Sequence, residues 1–180
     1  MLRFLIPIAA LFFWATPSIA EIGDDGLHDA PFLKETFKDL AEDAAEAAAN
    51  GQQLMVIIEQ RGCIYCKRMH EEVFVDPRIS RMLADDFFVV QINMFGGIEV
   101  TDFDGTAQSE AEMVESWGFR FTPTMMMFDS DEVGDGKAPE VAMTVIPGAL
   151  DVADMLTTLQ WAQSDAAAQG VSLTDYQGDK

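Results

Sequence analysis

Residues 54–66 read LMVIIEQRGCIYC, and no other stretch restricts the fold as much. LMVII (54–58) is short, apolar and rich in β-branched residues, which is the pattern of a strand buried on both faces. Arg61-Gly62 follows, and residues 63–73 have the composition of a helix. The chain therefore builds a sheet covered on both sides, and a helix leaves that sheet at Cys63.

Cys63 and Cys66 are the only cysteines among 180 residues. As a structural staple they are poorly placed. A bridge closing about four residues stabilises by only ~2 kcal/mol in the chain-entropy model, against ~4.7 kcal/mol for a loop of about 100 residues. As a redox pair they are well placed. The first sulfur sits at a helix N-terminus, where unpaired N–H groups favour a thiolate, and Lys67 and Arg68 add positive charge in the next turn. Cys66 lies one turn deeper, so Cys63 is expected to attack a substrate disulfide and Cys66 to resolve the mixed disulfide. A metal-binding alternative uses Cys63, Cys66 and His70 on one helix face for copper binding or delivery. No second Cys/His pair completes a structural zinc site, and Lys67 stands where haem attachment needs histidine. On the redox reading His70 is a surface helix residue, and His28 belongs to a flexible N-terminal stretch.

The rest of the chain supplies the layers. Apolar spacing predicts a helix over 32–50, ended by Asn50-Gly51. Asp76-Pro77 opens a helix to about 84, FFVVQI (87–92) is a second strand, and a polar loop covers 96–108. Ser109 and Glu112 form a capping-box pattern opening a helix through Trp117. Strands are expected at 124–128 and 141–145, a last helix at 151–161, and a frayed tail after 166. Strands alternating with helices pair in parallel, and the final two strands form an antiparallel hairpin. The fold class is α/β, with a mixed central sheet flanked by helices.

GFRFTPTMMMF (118–128) places Thr122-Pro123 at the entrance of an apolar strand, and IPGAL (146–150) places a glycine after the last strand. With the CxxC at a strand-to-helix turn, the chain resembles the thioredoxin superfamily over roughly residues 52–163. The resemblance implies a thioredoxin fold, here with an extra N-terminal helix, and a cis Thr122-Pro123 bond facing the cysteines. It also implies a substrate chain docked on Thr122 and Pro123 beside Ile64 and Tyr65, with no cofactor. GCIYCKRMHEEVFVDPRISRMLADDFFVVQINM and TDFDG further resemble periplasmic thioredoxins of the SoxW type. That likeness implies a reductase of disulfides in exported proteins, within a sulfur-oxidation system, with a membrane thiol carrier as electron donor. An oxidase or isomerase would share the same site. Ile64-Tyr65 departs from the Gly-Pro of general thioredoxins. Ile57 stands where they bury an aspartate, and Glu59, the nearest carboxyl, reads as a solvated strand-end residue.

Arg3, an almost wholly apolar stretch over 4–15 and Ser18-Ile19-Ala20 have the form of a signal peptide cleaved near Ala20. The apolar run is shorter than the ~20 residues a spanning helix needs. The expectation is a periplasmic protein with one domain over 21–180 and no membrane insertion after cleavage. A net charge of −20 repels nucleic acid and anionic lipid and excludes both as partners. DSDEVGDGKAPE (129–140) partly mimics a calcium loop but puts Val133 and Lys137 at ligand positions, so it reads as a solvated connection. Met125, Met126 and Met127 alternate across a strand and cannot converge on a metal; core packing explains them better. Trp117 and Trp161 read as core residues, and TDFDG (101–105) as a turn near the rim of the site.

Overall fold

The computed structural model describes residues 21–178; the proposed signal peptide lies outside them. Strand β3 (Gln53–Glu59) is the pivot of a four-stranded sheet ordered β4-β3-β7-β8. It pairs in parallel with β4 (Phe87–Asn93), Leu54 opposite Phe88 and Ile58 opposite Ile92. On its other side it pairs antiparallel with β7 (Thr124–Phe128), which in turn pairs antiparallel with β8 (Thr144–Pro147).

Side chains alternate between two apolar layers, as the pleat demands. Leu54, Val56, Ile58, Val90 and Met126 pack under α1 (Leu40–Ala49) and α4 (Glu110–Ser116). Met55, Ile57, Val89, Met125 and Met127 pack on the opposite face. There they meet α3 (Pro77–Asp85), α6 (Val152–Ala162) and the turn Met69–Val73. The three methionines are thus divided between the layers, and Trp117 and Trp161 lie in the core. Ser109 and Glu112 form the capping box of α4, and Asp76 caps α3. Among the described residues no helix is long and apolar enough to cross a membrane.

Four sequence expectations need correction. The helix expected over 32–50 begins only at Leu40, where Asp39 accepts the N–H groups of Ala41 and Glu42. Lys38, at φ 58°, breaks the chain before it, and Phe37 is fully in solvent. Phe32 joins the layer opposite to Leu40, and Lys34 N–H bonds to Val89 O at 2.8 Å. Residues 32–40 therefore cross the sheet margin, and their helix-like spacing comes from two different faces. The loop 96–108 contains a small hairpin, β5 (Glu99–Thr101) and β6 (Ala107–Ser109). The strand expected over 141–145 starts later, because Pro139 begins a single turn, α5 (Ala138–Val141). The tail after 166 carries α7 (Asp165–Ala168) and α8 (Leu173–Gly178). It is tied down by Trp161 Nε1 donating to Val171 O at 2.8 Å. A short antiparallel pair, β1 (Glu21–Ile22) and β2 (His28–Asp29), precedes the sheet.

TDFDG is a structural staple. Asp102 is buried, and its carboxylate accepts Trp117 Nε1–H at 2.7 Å, Ala138 N–H at 2.9 Å and Phe103 N–H at 2.9 Å. It ties the β5–β6 hairpin to α4 and α5. Asp102→Ala strands the indole and amide donors in the core and should cost about 3–5 kcal/mol in denaturant unfolding. Asp43 on α1 is also buried, and burial pushes its pKa up to about 6, against the opposing Thr36 hydrogen bond. Between pH ~4 and 6 the folded chain holds a proton that the unfolded chain has lost, so stability falls as pH rises. Asp43→Asn should therefore add about 2–3 kcal/mol at neutral pH and flatten the stability profile between pH ~4 and 6.

Candidate functional site

Strand β3 ends at Glu59, and Gly62, at φ 74°, makes the turn that a side-chain-bearing residue would resist. Cys63 then caps α2 (Ile64–Arg68), its Sγ accepting Cys66 N–H at 3.0 Å. The two cysteines are joined as a disulfide with Cα atoms 5.2 Å apart. Cys63 retains 8% exposure and Cys66 1%, so the outer sulfur is the one an incoming thiol or disulfide meets.

The facing loop arrives from β7, whose antiparallel direction brings its start to the edge where β3 ends. Thr122-Pro123 is cis, as the resemblance implies. Thr122 Oγ1–H donates to Cys63 Sγ at 3.3 Å, and Thr122 O lies 3.4 Å from the same sulfur. Gly148, at φ 93°, donates its N–H to Pro123 O at 2.8 Å and anchors the loop to the end of β8. Ile64 and Tyr65 project into solvent beside the disulfide, as does Phe121. The structure thus gathers Cys63, Cys66, Thr122 and Pro123 in one place, with an open groove of about 400 Å³ alongside that Tyr65, Phe121 and Thr122 line. Two donors, Cys66 N–H and Thr122 Oγ1–H, converge on Cys63 Sγ, an arrangement that favours the thiolate once the disulfide opens.

Beneath the cysteines lies a polar cluster that corrects three sequence expectations. Glu59 is not solvated but 1% exposed, and His70 is not on the surface but 3% exposed. His70 Nε2 sits 3.1 and 3.2 Å from the two oxygens of Glu59. Gln91 Nε2 donates to Glu59 Oε2 at 2.6 Å and to His28 O at 2.9 Å. His28, far from flexible, stacks on His70 at 4.9 Å, while Phe74 meets His70 edge-on. Burial, reinforced by His70, holds the pKa of His28 below the ordinary imidazole value. The α-helix widens into a π-helical turn over Met69–Val73, and His70 lies buried there with Cys66, Met69 and Val73. Gln91, the one polar residue inside FFVVQI, was the available signal that a polar group lay within.

The arrangement does not assemble the copper ligand set considered from the sequence. His70 is turned to Glu59, and among the described residues no group of three or more His, Cys, Asp or Glu is placed to hold a metal ion. Lys67 forms an exposed 3.7 Å pair with Glu71, and Arg68 Nη2 donates to Leu150 O at 3.3 Å.

Solved structures share this architecture. A thioredoxin-fold protein from Helicobacter pylori superposes with a TM-score of 0.55 at 17% identity, over 72% of this chain and 80% of its own. A thioredoxin from Thermus thermophilus gives 0.55 at 23% identity, over 73% and 89%. No curated protein sequence matches the chain. The sequence profile of the thioredoxin-like domain matches residues 40–163, more than half of the chain, and the protein belongs to that thioredoxin-like family.

Proposed function

We propose that the protein is a thiol–disulfide oxidoreductase acting on exported proteins. The observation that carries this reading is the asymmetry of the cysteine pair. Cys63 is the outer sulfur and accepts hydrogen bonds from Cys66 N–H and Thr122 Oγ1, while Cys66 is sealed beneath it. In the reducing direction the Cys63 thiolate attacks one sulfur of a client disulfide, and the other client sulfur leaves as a thiolate and takes up a proton. Cys66, losing its proton, attacks Cys63 and expels the second client thiolate, which leaves the Cys63–Cys66 disulfide seen here. Two electrons pass to the client, and a second dithiol must restore the pair.

We assign Thr122 and Pro123 to docking of the client chain, with Ile64 and Tyr65 as its flanking contacts. A backbone group already 3.4 Å from the attacking sulfur suits that role. The direction is proposed as reductive and the compartment as the periplasm, with electrons supplied by a membrane thiol carrier. The support is the apolar N-terminal segment and the likeness of GCIYCKRMHEEV to SoxW-type thioredoxins, which also suggests a client within a sulfur-oxidation system.

Cys63→Ser should reduce disulfide exchange with a protein substrate to the uncatalysed rate, whereas Cys66→Ser should accumulate a covalent adduct at Cys63 visible on a non-reducing gel. Exchange that survives in Cys63→Ser rules out the enzymatic reading. Equilibration with a thiol buffer should give a potential near thioredoxin's ~−270 mV; a value near ~−120 mV would reverse the proposed direction.

A further inference from the structure

The groove beside the disulfide has a charged wall. Arg68 lines it with Tyr65, Phe121, Thr122, Gly148 and Ala149. Among the described residues three other Lys or Arg side chains are matched with carboxylates: Lys38 with Glu110, Lys67 with Glu71, and Arg78 with Asp76 through two contacts of 3.0 and 2.9 Å. Among the described residues Arg68 has no such partner. Its one hydrogen bond goes from Nη2 to Leu150 O, although the chain carries 31 acidic side chains. A guanidinium offers five N–H donors in a planar fork suited to a carboxylate, and the contact to Leu150 uses one of them. Leu150 O also holds the side chain against the loop that follows β8, so that the fork is ordered before anything binds. Tyr65 and Phe121, both well exposed, give the same groove apolar walls for the stem of a bound side chain.

We propose that Arg68 is a specificity residue that selects client segments carrying an acidic side chain next to the reacting cysteine. The carboxylate would meet Arg68 while its methylene stem packs on Tyr65 and Phe121. The chain as a whole, at −20, repels an acidic peptide, so any preference for one must arise locally. This inference rests on the oxidoreductase reading above.

The test uses the reduced protein and peptides with one cysteine activated as its 2-thiopyridyl mixed disulfide and flanked on either side by Glu, Gln or Lys. Cys63 attacks the peptide sulfur and the thiopyridyl sulfur leaves with the electron pair. Cys66 then displaces the peptide thiolate and the protein disulfide re-forms, so release of thiopyridone reports one turnover. The expected result is a Glu-over-Gln rate ratio of about three- to tenfold, with Lys slowest and the ratio shrinking in salt. In Arg68→Gln the ratio should fall to about one, and Arg68→Lys should keep only part of it. The ratio matters because any effect of Arg68 on the Cys63 thiolate applies to every peptide equally. Equal rates for Glu and Gln, or a Glu preference that persists in Arg68→Gln, overturn the inference alone. No release from any peptide overturns the oxidoreductase reading and this inference with it.

Discussion

The mixed pairing of β3 governs the molecule. Because β3 runs parallel to β4, the chain must cross back over one face of the sheet between them, and that crossover starts at Cys63. Because β3 runs antiparallel to β7, the segment entering β7 arrives at the edge where β3 ends, carrying Thr122 and Pro123. One strand with opposite relations to its neighbours thereby brings residues 59 positions apart within 3.4 Å. Both faces of β3 are covered, so its side chains are apolar from Leu54 to Ile58 and its polar groups are confined to its two ends.

That covered sheet also explains what could be read without coordinates. LMVII, FFVVQI and TMMMF announce buried strands by composition, and Ser109 with Glu112 and Asp76 with Pro77 mark helix starts by local hydrogen bonding. The cysteine turn was legible from a buried strand followed by Gly62 and the CxxC spacing, and the proline loop through the resemblance to the thioredoxin superfamily that Thr122-Pro123 and the CxxC carry together. What failed depended on partners distant in sequence. Phe32 and Phe37 lie near α1 in sequence, yet one is buried in the far layer and the other is bare. No periodicity reveals that the chain is there changing sides of a sheet. Trp161 ordering Val171, and Asp102 collecting donors from two later elements, are equally invisible to a window of neighbouring residues.

The Glu59–His70 pair belongs to the same category. A glutamate at a strand end and a histidine on a helix both read as solvent-facing, and burying either alone would be costly. Together, with Gln91 on one carboxylate oxygen, they form a satisfied polar unit that spans from the strand to the helix bearing the cysteines. Its counterpart across the sheet is Asp102, which does for the hairpin and α5 what Glu59 does for the π-helical turn. In both places a buried carboxylate adds polar ties between segments that also pack into the apolar layers.

The margins of the sheet are handled in a further way. Beside β4, Leu33 and Lys34 lie along Val89, and Lys34 takes the carbonyl that an added strand would seek. On the opposite side β8 is only four residues long and closes with Pro147, which has no N–H to offer. Neither border is a good template for cross-β growth, so an extended polypeptide gains little by adding to the sheet. Under the proposed function, a client chain docking at the cysteines would meet a sheet whose borders resist co-aggregation with it.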